Sequence, residues 1–186
     1  MIEALSNLVT GLGLSASAGL NAYLPLLIVA LLARFTDLVR LQPPFNALSN
    51  SWVMAVLAVL LIVEELVDKI PAVDTINDII QTLVRPVAGA ILFAASSNVV
   101  TDVHPVLAMV CGILVAGSVH VIKATARPVI TATTAGTANP VVSSAEDVVS
   151  GVVSLLSILV PLVALVLIAV GVLLIVRSLR RGRTPT

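Results

Sequence analysis

Residues 52–73 read WVMAVLAVLLIVEELVDKIPAV, an apolar run that ends in charged residues and a proline. The run is apolar enough to enter a lipid bilayer, and its length suggests that its polar end also lies at membrane depth. The charged residues at this end are Glu64, Glu65, Asp68 and Lys69. Ionisable groups inside a membrane cost on the order of a few kcal/mol each unless they pair or face water. The stretch therefore predicts a membrane protein with a polar site in its interior.

The composition of the whole chain supports this class. Hydrophobic residues make up 59% of the 186 residues, charged residues make up 11%, and the mean hydropathy is +1.14. A soluble domain carries roughly a quarter charged residues, so this chain could not cover its surface with polar groups, and we expect the lipid bilayer to be its solvent. The formal net charge of zero argues against a nucleic-acid partner, which would require a basic face.

Apolar runs that could cross a bilayer recur along the chain. A spanning helix needs about 20 apolar residues, and candidate runs lie at about residues 11–33, 52–67, 86–100, 105–122 and 151–176. They predict an all-α polytopic membrane protein with about five transmembrane helices. We expect a single transmembrane domain over residues 1–176, followed by a basic cytoplasmic tail at 177–186.

Two segments between these runs do not have the pattern of aqueous loops. Residues 71–85 place apolar side chains at helical spacing and polar ones, including Asp74 and Asp78, on the other side. Residues 124–150 are divided by Pro128 and Pro140. Amphipathic pieces bounded by proline are typical of broken or re-entrant helices, which need protein or water to satisfy their backbone. The alternative is a helix that lies along the membrane surface.

The sequence also predicts an internal, inverted repeat. Residues 63–69 align with residues 118–124, and this alignment places Glu65 on His120 and Asp68 on Lys123. Repeats whose broken elements meet near the midplane are typical of secondary transporters. Apolar helices also align by chance, which is the alternative explanation.

The arginines set the expected orientation. Arginines directly follow the last run, and Arg34 and Arg40 lie between the first two runs, so both groups should be cytoplasmic. With five spans the N-terminus would be outside and the C-terminus inside. If the run 11–33 is instead two half-helices broken near residues 19–21, the N-terminus moves to the inside.

Small residues recur at every fourth position in the first run, at Gly11, Ser15 and Gly19. Such a face allows close helix contact. It fits packing within the chain or a homo-oligomer equally well.

The charged residues form two stripes. Glu64 and Glu65 precede Asp68 by four and three residues, and His120 is followed by Lys123 and Arg127 at helical spacing. If adjacent, the stripes would neutralise each other as a buried ion-pair network.

The functional interpretation assigns these residues to binding and coupling. Cationic and polar groups would bind a phosphate or carboxylate, namely Lys69, Arg85, Lys123, Arg127, Asn21 and Thr131. Acidic groups and a histidine would relay protons or hold a cation, namely Glu64, Glu65, Asp68, Asp74, Asp78 and His120. The acidic set would suit Mg²⁺ or Ca²⁺, although the metal stays open. We assign no catalytic residue and expect no cofactor.

The motifs together resemble a known family. They comprise residues 13–27, the acidic-Lys-Pro stretch 65–71 with residues 74–89, and residues 120–140. On these residues the chain resembles the bacterial integral-membrane family called domain of unknown function 4126. The resemblance implies a compact multi-span protein of the bacterial cytoplasmic (inner) membrane and names no activity.

Three functions are compatible with these patterns. The first is a small secondary transporter or lipid-phosphate translocator for an anionic substrate, coupled to protons or a cation. The second is a non-transporting membrane scaffold whose charges form an ion-pair clamp. The third is an intramembrane lipid-phosphate hydrolase, although no nucleophile stands at a recognisable spacing from a base.

Overall fold

The computed structural model describes residues 2–67, 71–97 and 104–160, together with 167, 170, 171, 173, 174 and 177, and this part of the chain is helical. The α-helices are α1 (Ile2–Leu20), α2 (Tyr23–Phe35), α3 (Ser51–Val67), α4 (Pro71–Ser97), α5 (Pro105–Thr134) and α6 (Asn139–Leu159). A short 3₁₀ helix, Phe45–Ser49, precedes α3. The predicted cytoplasmic tail lies outside the described residues, apart from Arg177.

Three of the described helices are long and apolar enough to cross a membrane. They are α5, α6 and the segment Ile79–Ser96 of α4. Helix α2 is apolar but has only 13 residues. The predicted all-α membrane class is confirmed in this coarser form, whereas the count of five spans is not, and the internal repeat stays a prediction.

The prolines do not break the helices where the sequence suggested. Pro86 lies inside α4, and Pro128 lies inside α5. A proline in a helix removes one backbone hydrogen bond, a loss that membrane helices tolerate when neighbours satisfy the freed carbonyl. Segment 71–85 is therefore the first half of α4, and the prediction that it is a separate broken helix is wrong.

The second segment predicted to be broken, residues 124–150, contains the end of α5, a tight turn and the start of α6. Helix α5 continues to Thr134, and α6 begins at Asn139, with Ala135 (φ 50°) and Gly136 (φ 79°) in the left-handed region between them. Such residues end helices by letting the backbone turn back on the last carbonyls. The predicted last span, 151–176, does not begin at residue 151 because α6 starts earlier, and α6 ends at Leu159.

The first apolar run is broken, as the two-half-helix alternative required. Asn21 stands at the break, and its side-chain Oδ1 accepts hydrogen bonds from the backbone N–H groups of Tyr23 (3.0 Å) and Leu24 (2.9 Å). The amide thereby caps the start of α2. Asn7 of α1 and Arg40, which follows α2, line the same cavity. The chain therefore reverses direction at Asn21–Ala22, and α1 and α2 form a hairpin.

The small residues of α1 pack against the chain's own helices. Ser15 Oγ donates a hydrogen bond to the Gly89 carbonyl at 2.9 Å, and Gly19 lies so close to Ala116 of α5 that a methyl group would meet its carbonyl at 2.5 Å. Gly11 is buried against Phe93. The Gly11–Ser15–Gly19 face is thus occupied within the chain by α4 and α5.

Large apolar side chains lie on the surface and charged side chains lie in the interior, the reverse of a soluble protein. Large apolar side chains are exposed, among them Trp52 (82%), Leu83 (75%) and Val129 (62%). Charged side chains are buried instead, as described below. This distribution is expected when lipid surrounds the bundle.

Candidate functional site

Ionisable side chains of α3, α4 and α5 meet in the interior of the bundle. The exposed fraction is 3% for Glu64, 0% for Arg85, 2% for His120, 4% for Lys123 and 6% for Arg127. Charged groups at such depth must be paired or hydrogen-bonded to be tolerated. Their partners fall into three neighbouring groups.

The first group, the Arg85 cluster, consists of Glu64, Thr82, Arg85 and His120. Arg85 Nη2 donates to Glu64 Oε1 at 3.0 Å in an ion pair with side-chain exposures of 0% and 2%. Arg85 Nη1 lies 3.0 Å from His120 Nδ1, and Thr82 Oγ1 lies 3.0 Å from His120 Nε2. The guanidinium of Arg85, which belongs to α4, therefore bonds to side chains of both α3 and α5.

The hydrogen bonds fix the protonation of the His120 ring. The Arg85 guanidinium can only donate, so His120 Nδ1 must accept and carries no proton. The ring is then neutral with its proton on Nε2, which donates to Thr82 Oγ1. A histidine in this state cannot take a proton from Thr82.

The second group, the Lys123 cluster, joins α5 to α6 and to the end of α1. Lys123 Nζ lies 2.8 Å from Glu146 Oε2 and donates to the Leu20 carbonyl at 3.0 Å. Arg127 Nη2 lies 3.2 Å from the same Glu146 oxygen. An ammonium at the C-terminus of α1 complements the negative end of the helix dipole. Two cations thus converge on one carboxylate beside the break at Asn21.

The third group, the carboxyl pair, is formed by Glu65 and Asp147. Glu65 and Lys123 both lie close enough to interact electrostatically with Asp147. Asn21 Nδ2 also donates to Asp147 Oδ1 at 2.8 Å. Asn21 therefore connects the hairpin tip to α6 at the level of the charged groups.

Thr131 follows Arg127 by one turn of α5, but its side chain bonds to Asn139. Thr131 and Asn139 exchange side-chain hydrogen bonds at 3.1 and 2.9 Å. This contact joins the last turns of α5 to the first turn of α6. Thr131 therefore stabilises the turn between α5 and α6.

The described ion pairs join the predicted acidic and basic stripes to residues outside the stripes. Glu64 pairs with Arg85 of α4, while Lys123 and Arg127 pair with Glu146 of α6. Asp68 and Lys69 lie outside the described residues, as do the side chains of Asp74 and Asp78.

Sequence reasoning missed Glu146 and Asp147. The signal that could have found them is the spacing of the polar residues along one face of α6, Ser143, Asp147, Ser150, Ser154 and Ser157. The prediction considered charges at the ends of strongly apolar runs. These two carboxylates lie instead in the interior of α6.

Two cavities lie apart from the three charged groups. A cavity of about 370 Å³ opens where α1 begins and where α2, α4 and α6 end, lined by Asn7, Thr10, Asp37, Arg40 and Ser96 among others. An apolar crevice of about 240 Å³ lies between α2 and α4. Neither is lined by a member of the three groups. Within the described part of the chain, no set of three or more His, Cys, Asp or Glu could hold a metal ion.

The fold and these contacts define a helical membrane protein with a buried ion-pair centre at a helix break. The chain belongs to the family described as domain of unknown function (DUF4126), which matches residues 8–181. No curated protein and no solved structure matches the chain.

Proposed function

We propose that this protein is a small secondary transporter or lipid-phosphate translocator that moves an anionic or phosphate-bearing substrate together with a proton or cation. The observation that carries the proposal is the convergence of Lys123 and Arg127 on one oxygen of Glu146. This convergence lies beside the break between α1 and α2, where Lys123 also binds the end of α1. Secondary transporters bind substrates and ions at such breaks.

Glu146 occupies the position that a substrate anion would take. Two cations surround one carboxylate, so a phosphate or carboxylate that replaced it would find the same donors already in place. The Glu146 side chain is 16% exposed, compared with 1% for Lys123 and 7% for Arg127. The carboxylate can therefore withdraw more easily than either cation. Arg85 bonds to Glu64 and His120, and we propose that it supports the site from this position.

Uptake into proteoliposomes tests the proposal. The probes are radiolabelled inorganic phosphate and glycerol 3-phosphate, with and without an imposed pH gradient. We expect Arg127→Gln to reduce uptake at least tenfold, because it removes one of the two donors. Arg34→Gln is the matched control, since Arg34 is exposed and donates to the Ser49 carbonyl. Unchanged uptake in Arg127→Gln would refute the assignment.

Glu146→Gln gives an independent measurement. If the carboxylate competes with the substrate, its removal should lower the Kd for inorganic phosphate in purified protein at least tenfold. Titration calorimetry in detergent measures this change directly. An unchanged or weaker affinity would contradict the role of Glu146 as an internal competitor.

The closed Arg85–Glu64 pair favours a second candidate, a non-transporting scaffold whose charges clamp the helices together. The two candidates differ in the triple variant Glu146→Gln, Lys123→Met and Arg127→Gln, which leaves no charge of this group unpaired. A scaffold should regain stability and cellular function when all three residues are neutral. A transporter should regain stability only, because its donors are gone.

We also propose a bacterial cytoplasmic-membrane location with the C-terminus in the cytoplasm. The arginines around Arg34, Arg40 and Arg177 support this orientation through the positive-inside bias. Asn7 and Arg40 line one cavity, which puts the start of α1 on the same side. Reporter fusions at both ends of the chain test the orientation.

A further inference from the structure

The larger cavity has walls of two kinds. One wall is apolar and includes Leu14 and Val29, which are each 2% exposed. The other wall carries polar side chains, among them Asn7, Asp37 and Arg40. Its volume of about 370 Å³ falls within the range of pockets that hold small organic molecules, roughly 300–1,000 Å³. The cavity therefore has the size and the mixed polarity to hold part of an amphiphilic molecule.

The cavity lies at the level where the membrane surface is expected. The apolar helix α2 ends at Phe35, and the charged residues Asp37 and Arg40 follow shortly after it. Beside these charges, Phe35 is 71% exposed and Leu38 is 61% exposed. A change from lipid-facing apolar side chains to charged ones marks the headgroup region of a bilayer. Lipid headgroups can therefore reach the cavity directly from the membrane.

The two charged side chains of the cavity are not engaged by the protein. Within the described part of the chain, neither Asp37 nor Arg40 forms an ion pair or a side-chain hydrogen bond. Arg34, at the same end of the bundle, donates instead to the Ser49 carbonyl at 2.8 Å. Because Asp37 and Arg40 do not pair with each other, one ligand that carries both an anionic and a cationic group can bind to both.

The hydroxyl groups of the cavity favour a ligand that donates hydrogen bonds. Thr10 Oγ1 already donates to the Ser157 carbonyl at 2.8 Å. Ser96 Oγ likewise donates to the Leu92 carbonyl at 2.8 Å. Both oxygens therefore offer only lone pairs to a ligand, as the Asp37 carboxylate does. A primary ammonium group, whose N–H groups all donate, satisfies such acceptors, whereas a trimethylammonium group has no N–H to donate.

We propose that this cavity binds the headgroup of a phospholipid that carries a phosphate and a primary ammonium group, as phosphatidylethanolamine does. The Arg40 guanidinium, which can only donate, binds the phosphate, and the Asp37 carboxylate accepts from the ammonium. The glycerol backbone packs against the apolar wall. Lys123, Arg127 and Glu146 do not line this cavity, so the inference goes beyond the proposed transport and does not depend on it. In the alternative, the two charges are ordinary hydrated surface groups.

Competition between two lipids for the purified full-length chain tests the site. Dioleoyl phosphatidylethanolamine and dioleoyl phosphatidylcholine, which differ only in the methyl groups on the headgroup nitrogen, are added in equal amounts to the detergent. Native mass spectrometry then measures the ratio of the two singly bound species. We expect the ethanolamine lipid to be preferred at least about threefold, because only its nitrogen can donate to Asp37. Equal binding of the two lipids would overturn the proposal.

The free headgroup distinguishes a lipid from a soluble ligand of the same chemistry. O-phosphoethanolamine, added at the concentration of the lipid, should displace no more than about a tenth of it, because it lacks the part that packs on the apolar wall. Displacement of half or more would overturn the assignment to a lipid.

Variants of the two exposed charges identify their roles, and changes at such surface positions should leave the fold intact. Asp37→Asn should abolish the preference for the ethanolamine lipid, because the acceptor of the ammonium loses its charge. Arg40→Gln should weaken the binding of both lipids by at least about threefold, because the phosphate loses its cation. A preference that survives in Asp37→Asn, or unchanged binding in Arg40→Gln, would refute the site.

Arg34→Gln is the matched control for Arg40→Gln. Arg34 is exposed at the same end of the bundle but does not line the cavity. We expect its loss to leave the binding of both lipids unchanged. A loss equal to that in Arg40→Gln would show general attraction between positive charge and lipid, and it would likewise refute the site.

Discussion

Replacing Glu64 by glutamine should destabilise the protein by about 3–5 kcal/mol, the usual cost of breaking a buried ion pair. Arg85 is 0% exposed and 3.0 Å from the Glu64 carboxylate. At an effective dielectric constant of about 20, an attraction at this distance is worth roughly 5 kcal/mol. The Glu64→Gln variant loses this attraction, while the Arg85 guanidinium stays buried away from water. An exposed pair would contribute only about 0.2–1 kcal/mol.

The assay is the free energy of unfolding in detergent micelles, obtained from a denaturant titration. Asp37→Asn is the control for a carboxyl-to-amide change, because Asp37 is exposed and should shift stability by no more than about 0.5 kcal/mol. The double variant Glu64→Gln with Arg85→Met should recover most of the loss, since it leaves no unpaired charge. A loss below about 1 kcal/mol in Glu64→Gln would show that water reaches the pair and would refute the closed contact.

Three further variants test the helix break, the α4–α5 contact and the turn before α6 by the same unfolding titration. Asn21→Ala should cost about 2 kcal/mol, because two backbone N–H groups lose their acceptor; an effect below about 0.5 kcal/mol would exclude the cap. Gly89→Ala should cost about 2–3 kcal/mol, since the new methyl would lie 2.7 Å from the Gly112 carbonyl, whereas Gly171→Ala, with nothing within 4 Å, should be neutral. Ala135→Gly should gain about 1 kcal/mol, because φ is 50° there; a loss would argue against the left-handed turn.

The helices and the burial of the charges could be predicted from local patterns. Apolar runs located α3 within one residue at its start, and the helical spacing of His120, Lys123 and Arg127 correctly placed them on one buried face. The break near Asn21 was predicted as an alternative, in which the run 11–33 is two half-helices broken near residues 19–21.

The partners could not be predicted from local patterns. Pro86 and Pro128 continue their helices, and whether a neighbour compensates for a proline is a property of the packed bundle. Which carboxylate meets Arg85 or Lys123 depends likewise on how the helices lie side by side. Glu146 and Asp147 were missed because charges inside a helix give a weaker signal than charges that end an apolar run.

The α1–α2 hairpin has a consequence for how the protein is made. It is synthesised before α4 and α6, yet Ser15 bonds to a residue 74 positions later, and Thr10 to one 147 positions later. Helix α1 contains buried serines that lipid cannot satisfy. Helix α1 therefore cannot complete its hydrogen bonds until α6 has been synthesised. Nascent chains truncated before α6 should lack a docked α1–α2 hairpin.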